Sequence, residues 1–235
     1  MTVTALTILM RIDDREKIGE VPVNIDVYHD IPCPWCRIGK ANLEAALQRW
    51  NGEPVTLTWR PFLLDRDVPA EGVSTPDFYR AKFGAENLAP MFERVRQAGR
   101  RAGVEFDFEQ AVRAPSQDAH RLIWLAPDER KTAVLDGLQR AYFNEGKNVA
   151  DLETLADIAA AAGMDRSETL RRLQSDEGVA ETAEAIDQAY RLGVTGVPFF
   201  VFDDRYALSG AQPAEALLAA MRQTMRDRPA SALMD

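Results

Sequence analysis

The sequence predicts an α/β protein in which a small sheet with flanking helices is interrupted by a long helical stretch. Three observations lead there. Strand-like alternation recurs near both ends of the chain, and helical periodicity fills the middle. A Cys-x-x-Cys pair stands where the first predicted strand gives way to a helix.

Residues 1–22 read as an N-terminal extension. Val23-Asn24-Ile25-Asp26-Val27-Tyr28 then alternates apolar and polar positions with β-branched enrichment, the pattern of a strand. After Pro34, the segment Ile38 to Trp50 places Leu43, Leu47 and Trp50 at i, i+4 and i+7, one buried stripe of a helix, with Gly52 expected as its stop. Val55-Thr56-Leu57-Thr58-Trp59-Arg60 alternates again and ends at Pro61. Strand, helix and strand in about forty residues form a βαβ unit whose second strand runs parallel to the first. Residues 23–64 are therefore the first half of a sheet domain.

Residues 65–192 carry helical spacing throughout. Val134, Leu138 and Ala141 share one stripe, Leu152, Leu155 and Ile158 another, and Val179, Ala183, Ile186 and Tyr190 a third. Gly163 and Gly193 fall where C-terminal stops belong. Beyond them, the apolar run Val197 to Phe202, a turn at Asp203-Asp204 and a partner at Tyr206-Ala207-Leu208 predict a hairpin. Pro213 opens a last helix with Leu217, Leu218, Met221 and Met225 on one side. Residues 193–228 are thus the second half of the sheet domain, and 229–235 a tail.

Composition narrows the function. No apolar run approaches the ~20 residues a membrane helix needs, and Val3 to Met10 is broken by Thr4 and Thr7 before leading into a charged segment from Arg11 to Lys17. Neither a membrane anchor nor a secretory signal is expected, and the cytoplasm is the expected location. A net charge of −9 and a pI near 4.9 oppose binding to phosphate backbones and anionic membranes, so neither nucleic acid nor membrane is expected as a partner.

Cys33 and Cys36 are the only cysteines in the chain. A disulfide staple gains mainly by closing a long loop of the unfolded chain, which a two-residue gap does not do. Structural zinc wants four Cys or His ligands, and His29 and His120 lack the spacing. Redox exchange between dithiol and disulfide suits the pair, and no metal is expected.

The segments Asp30-Ile31-Pro32-Cys33-Pro34-Trp35-Cys36-Arg37-Ile38-Gly39-Lys40, Gly193-Val194-Thr195-Gly196-Val197-Pro198-Phe199-Phe200-Val201 and Ser209-Gly210-Ala211-Gln212-Pro213 strongly resemble the DsbA-like oxidoreductases of the FrnE type. The resemblance covers about Val23 to Met225 and implies a thioredoxin-like fold with an inserted all-helical subdomain. Kappa-class glutathione transferases and 2-hydroxychromene-2-carboxylate isomerases belong to the same superfamily, typically with serine where this chain has Cys33. A second, C-terminal cysteine pair found in some FrnE-like proteins is absent here. Ser116-Gln117-Asp118-Ala119-His120-Arg121-Leu122 is similar to the family's Asn-Thr-x-x-Ala-His-Arg-Leu segment with its first residues altered.

These observations set the site expectations. With Cys33 at the head of a helix, the first amides and the dipole favour thiolate over thiol and make it the nucleophile. Cys36, one turn further in, is expected to be less exposed and to resolve the mixed disulfide. Pro34 suits the first helical turn. Trp35 either faces substrate or packs on the helix. The resemblance implies a cis Val197-Pro198 bond beside the cysteines, with Val197 offering backbone groups to an extended substrate. Asp30 serves in proton transfer or as a helix cap, whereas His29 reads as a loop residue and His120 as a helix-packing one.

The resulting expectation is a thiol–disulfide oxidoreductase or isomerase that acts on protein thiols and disulfides and needs no cofactor. Glutathione or a thioredoxin system is the candidate redox partner, and a monomer and a homodimer are equally compatible. Two alternatives stand beside it: glutathione-dependent isomerisation or transfer on a small aromatic substrate, and chaperone-like binding without catalysis.

Overall fold

A computed structural model describes residues 21–228; the N-terminal extension through residue 20 and the tail 229–235 lie outside the described residues. Strand β1 (Val23–His29) leads through a short turn into helix α1 (Pro34–Gln48), and the chain returns as β2 (Val55–Pro61). β1 and β2 pair in parallel, Val27 opposite Trp59, and the Phe62 amide extends the ladder by donating to the His29 carbonyl at 2.9 Å. β5 (Phe199–Phe202) lies antiparallel on the other side of β1, and β6 (Tyr206–Ser209) closes the order β2-β1-β5-β6. The fold class is α/β, a thioredoxin-like sheet with a large helical insertion.

Central position explains the composition of β1. Ile25 and Val27 have almost no exposure, as do Phe200 and Phe202 across the pair. Each such side chain contributes roughly 1.5–3 kcal/mol on burial. α9 (Ala214–Arg226) packs beside α1 and brings Leu217, Leu218 and Met221 into the same core. The hairpin turn holds Asp203 and Asp204 at positive φ, which short polar side chains tolerate.

Between β2 and β5 run α2 (Thr75–Phe83), α3 (Ala85–Arg101), α4 (Gln117–Leu125), α5 (Asp128–Asn144), α6 (Leu152–Ala161), α7 (Arg166–Leu173) and α8 (Val179–Arg191). A two-residue ladder, β3 (Val73–Ser74) with β4 (Val112–Arg113), ties this segment together, and it is too short to leave a periodic signal. Leu122, Leu138 and Leu155 of the insertion share one continuous apolar core with Ile25, Leu43 and Phe200 of the sheet half.

Two expectations about elements need correction. α1 ends at Gln48 with Arg49 as its cap, so Gly52 is not the stop. Gly52 instead lies under the Trp50 ring, where a Cβ would sit 2.3 Å from the indole. On α8 the buried residues are Thr182, Ile186 and Ala189, while Val179 and Tyr190 are exposed, because β2 and α4 receive a face rotated from the apolar stripe. Gly193, with φ of 78°, ends α8 as expected and releases the chain into the loop before β5.

That loop is held against α1 at Gly39. A Cβ there would lie 2.8 Å from Pro198 Cγ and 3.2 Å from Phe200 Cζ, contacts that α1 and β5 cannot both keep. Gly39→Ala is therefore expected to destabilise the fold by ~1–3 kcal/mol through overpacking. A midpoint in urea unchanged from the parent would contradict this packing.

Candidate functional site

The site grows from the end of β1. Asp30 follows the last strand residue, and its carbonyl accepts from the Cys33 amide at 3.2 Å, closing a turn. That turn places Cys33 as the N-cap residue of α1, with extended backbone angles (φ −87°, ψ 110°), and Pro34 follows in the first helical turn. Pro34 costs nothing there because its missing N–H has no helical partner. The Cys36 and Arg37 amides both reach the Cys33 carbonyl, so the cysteines occupy the first turn.

Both cysteines are free thiols, and each is only 3% exposed. The expectation that Cys36 is the less exposed of the two is corrected by this equality. Cys33 is covered because the Val197–Pro198 loop, whose peptide bond is cis, crosses it, and the Cys33 thiol donates to the Val197 carbonyl at 3.6 Å. Val197 and Pro198 are thus brought to the cysteines, but the Val197 carbonyl already has a partner.

Tyr79 of α2 is within electrostatic reach of Cys33. Burial pushes its pKa up, Arg113 opposes this, and the charges of Tyr142 and Cys33 add to it. Trp35 is half-buried, with the Arg94 guanidinium of α3 6.0 Å from its ring centroid.

The Cys36 thiol is held well above its ordinary pKa. Burial is the largest cause, and a hydrogen bond and charge from Cys33 add to it; the Asp30 backbone opposes the rise while the Asp30 carboxylate reinforces it. Cys36 therefore stays protonated at neutral pH.

Asp30 is buried, and its side chain does not cap α1, which has no side-chain cap. The carboxylate turns inward. Oδ1 accepts from the Ile31 amide at 2.9 Å, from Ser116 Oγ at 2.6 Å and from His120 Nε2 at 3.3 Å, while Oδ2 accepts from the Leu64 amide at 2.8 Å. Burial alone would raise its pKa. The hydrogen bond and electrostatic pull of His120, the charge of Arg113 and the Leu64 amide outweigh burial and hold the carboxyl below its ordinary value.

Ser116 and His120 thus partner Asp30, so His120 does more than pack a helix. Their signal in the sequence is the i, i+4 placement of two polar residues on one face of a helical turn. Arg113 left no such signal. It is 1% exposed, pairs with Asp65 and donates to the Pro32 carbonyl at 3.4 Å, so a buried cation stands directly behind the turn that carries Cys33.

A dithiol at a helix N-terminus, backed by a proline loop on a four-stranded sheet, defines a thioredoxin-fold protein of the thiol-exchange class. The sequence profile of the DSBA-like thioredoxin domain matches residues 24–222, and the chain belongs to that family of thiol oxidoreductases. A probable DsbA oxidoreductase, SCO1869 of Streptomyces coelicolor, has a similar structure, with a TM-score of 0.81 and 31% identity over 88% of this chain and 92% of its own. The cytosolic disulfide reductase DsbM of Pseudomonas aeruginosa, solved with GSH, shares the fold with a TM-score of 0.58 and 21% identity, covering 86% of this chain and 99% of its own. YwbO of Bacillus subtilis, an uncharacterized protein, is 27% identical over 185 residues, 77% of this chain and 88% of its own.

His29, also buried, has a pKa driven well below its ordinary value by burial first and then by His120 and Lys40, with Asp30 opposing. The folded protein keeps His29 neutral, whereas the unfolded chain binds a proton there below about pH 6.5. Stability is therefore complete above that pH and falls as pH drops below it, by up to ~1.4 kcal/mol per pH unit. Asp30 adds a separate loss only at lower pH, below the ordinary carboxylate range. His29→Phe is expected to flatten the unfolding free energy between pH 6.5 and 5, about one histidine's window; a slope equal to the parent's would refute the assignment.

Proposed function

We propose that the protein is a thiol–disulfide oxidoreductase or isomerase that exchanges disulfides with protein thiols through Cys33 and Cys36. The observation that carries this reading is the Cys33 thiol at the N-terminus of α1, facing the Val197 carbonyl, with Cys36 in the same first turn. The positive end of the α1 dipole lies at this position and favours negative charge on sulfur.

In the reductive direction the Cys33 thiolate attacks one sulfur of a substrate disulfide. A Cys33–substrate S–S bond forms, the substrate S–S bond breaks, and the second substrate sulfur leaves as thiolate. Cys36 then loses its proton and attacks Cys33 sulfur, which releases the first substrate thiolate and leaves a Cys33–Cys36 disulfide. Two electrons pass to the substrate, and the reverse sequence oxidises a dithiol. Asp30 is the carboxylate beside Cys36, and in this reading it governs when the buried thiol gives up its proton. Pro34 shapes the turn, while Trp35, Val197 and Pro198 form the surface that a substrate meets.

The shielding of Cys33 supports a small thiol, glutathione, as the redox partner, since a tripeptide needs less opening of the site than a folded protein does. A DsbM structure solved with GSH supports the same choice, and its cytosolic description supports a cytoplasmic setting for this chain. Among the described residues no helix is long and apolar enough to cross a membrane. The thiol chemistry itself calls for no bound cofactor.

The test is an insulin-reduction assay with a redox titration in glutathione buffer. The parent protein is expected to turn over and Cys33→Ser to lose all activity. Cys36→Ser is expected to accumulate a mixed disulfide with glutathione at Cys33, seen as an added mass. Activity that survives Cys33→Ser would remove the proposal.

A further inference from the structure

A cavity of about 370 Å3 lies between β2, α4, α5 and α8, and neither cysteine lines it. Six buried side-chain nitrogen or oxygen atoms among the described residues lack a hydrogen-bond partner, and three of them belong to residues of this one wall: Nδ1 and Nε2 of His29 and Oγ1 of Thr182. His29 is 2% exposed and Thr182 4%. A buried polar group without a partner costs about 1–3 kcal/mol, so three in one cavity are unlike ordinary core packing and ask for something that hydrogen-bonds them.

The remainder of the wall specifies the chemistry. Trp59 and Trp124 present flat rings, and the Trp59 indole N–H is already satisfied by Thr132 Oγ1 at 3.0 Å, leaving its apolar surface to the cavity. Arg60 and Lys131 bring positive charge, the former paired with Asp26 and the latter with Asp128, whose side chain is 92% exposed. A neutral histidine offers one ring N–H, its other nitrogen being an acceptor that a carboxylate does not pair, and the hydroxyl offers a second hydrogen. Two inner donors, aromatic walls and cations at the rim match a planar group that carries a carboxylate.

We propose that this cavity binds a small aromatic carboxylate, whose oxygens accept from the His29 ring and the Thr182 hydroxyl while its ring lies against Trp59 and Trp124. The site is separate from the dithiol and stands whether or not the exchange reaction does. No bond is made or broken in it.

The probe is benzoate, with benzamide as its uncharged counterpart, titrated by calorimetry into the full-length protein. Benzoate is expected to bind saturably and benzamide at least tenfold more weakly, about 1.4 kcal/mol. Thr182→Val removes a hydroxyl that has no partner, so it should fold with a melting temperature no lower than the parent's, lose about tenfold in benzoate affinity, and keep insulin reduction intact. His29→Phe, which fills the inner wall, should abolish binding. No saturable heat with benzoate, equal affinity for benzamide, or affinity unmoved by Thr182→Val would each overturn the proposal. So would a crystal structure grown in benzoate that shows only ordered water against His29 and Thr182.

Discussion

The buried carboxylate of Asp30 is the contact on which the rest of the site depends. Removing a charge from water costs several kcal/mol unless hydrogen bonds and opposite charge replace the solvent. Here one side chain accepts from the turn at Ile31, from Leu64 just past β2, and from Ser116 and His120 at the start of α4. These donors belong to three separate stretches of chain. The carboxylate stays ionised only where all three converge, so it ties the sheet half to the helical insertion at the point where β1 runs into α1.

That convergence shapes the dithiol. The turn that orients Asp30 also sets Cys33 as the N-cap of α1, and Arg113, behind the turn, binds the Pro32 carbonyl and Asp65. Gly39, one turn past Cys36, lets Pro198 approach to a distance that any side chain would block. Cys33 is consequently enclosed by its own turn and by the Val197–Pro198 loop. The same enclosure that raises the Cys36 thiol covers Cys33.

Local patterns in the chain carried much of this. β1, β2 and the hairpin were legible because alternation and the Asp203-Asp204 turn are short-range signals, and α9 because Pro213 and a clean apolar stripe mark it. The cysteine pair was legible because its spacing is itself the signal. The partners of Asp30 were not, since Ser116 and His120 lie 86 and 90 positions away and nothing local ties them to it. The buried face of α8 was misjudged for a similar reason: Thr182 and Ala189 are inside because β2 and α4 press there, while the more apolar Val179 faces water. The burial of Cys33 depends on a loop 164 positions further along the chain, whose approach no helix-start pattern encodes.

Enclosure also bears on how such a pair exchanges electrons. In the resting dithiol the Cys33 hydrogen is directed to the Val197 carbonyl, so this sulfur is occupied within the protein. In the proposed exchange an incoming sulfur displaces this contact, and Cys36 then completes the reaction. The low dielectric around Cys36 keeps it from ionising ahead of need, and the carboxylate of Asp30 adds to that restraint. Once Cys33 has attacked as a thiolate and its sulfur is tied up in a mixed disulfide, that charge is gone, and one cause of the raised Cys36 pKa goes with it. Formation of the first bond thereby eases ionisation of the thiol that breaks it, an ordering that follows from placing two sulfurs and one carboxylate in the same dry corner of the fold.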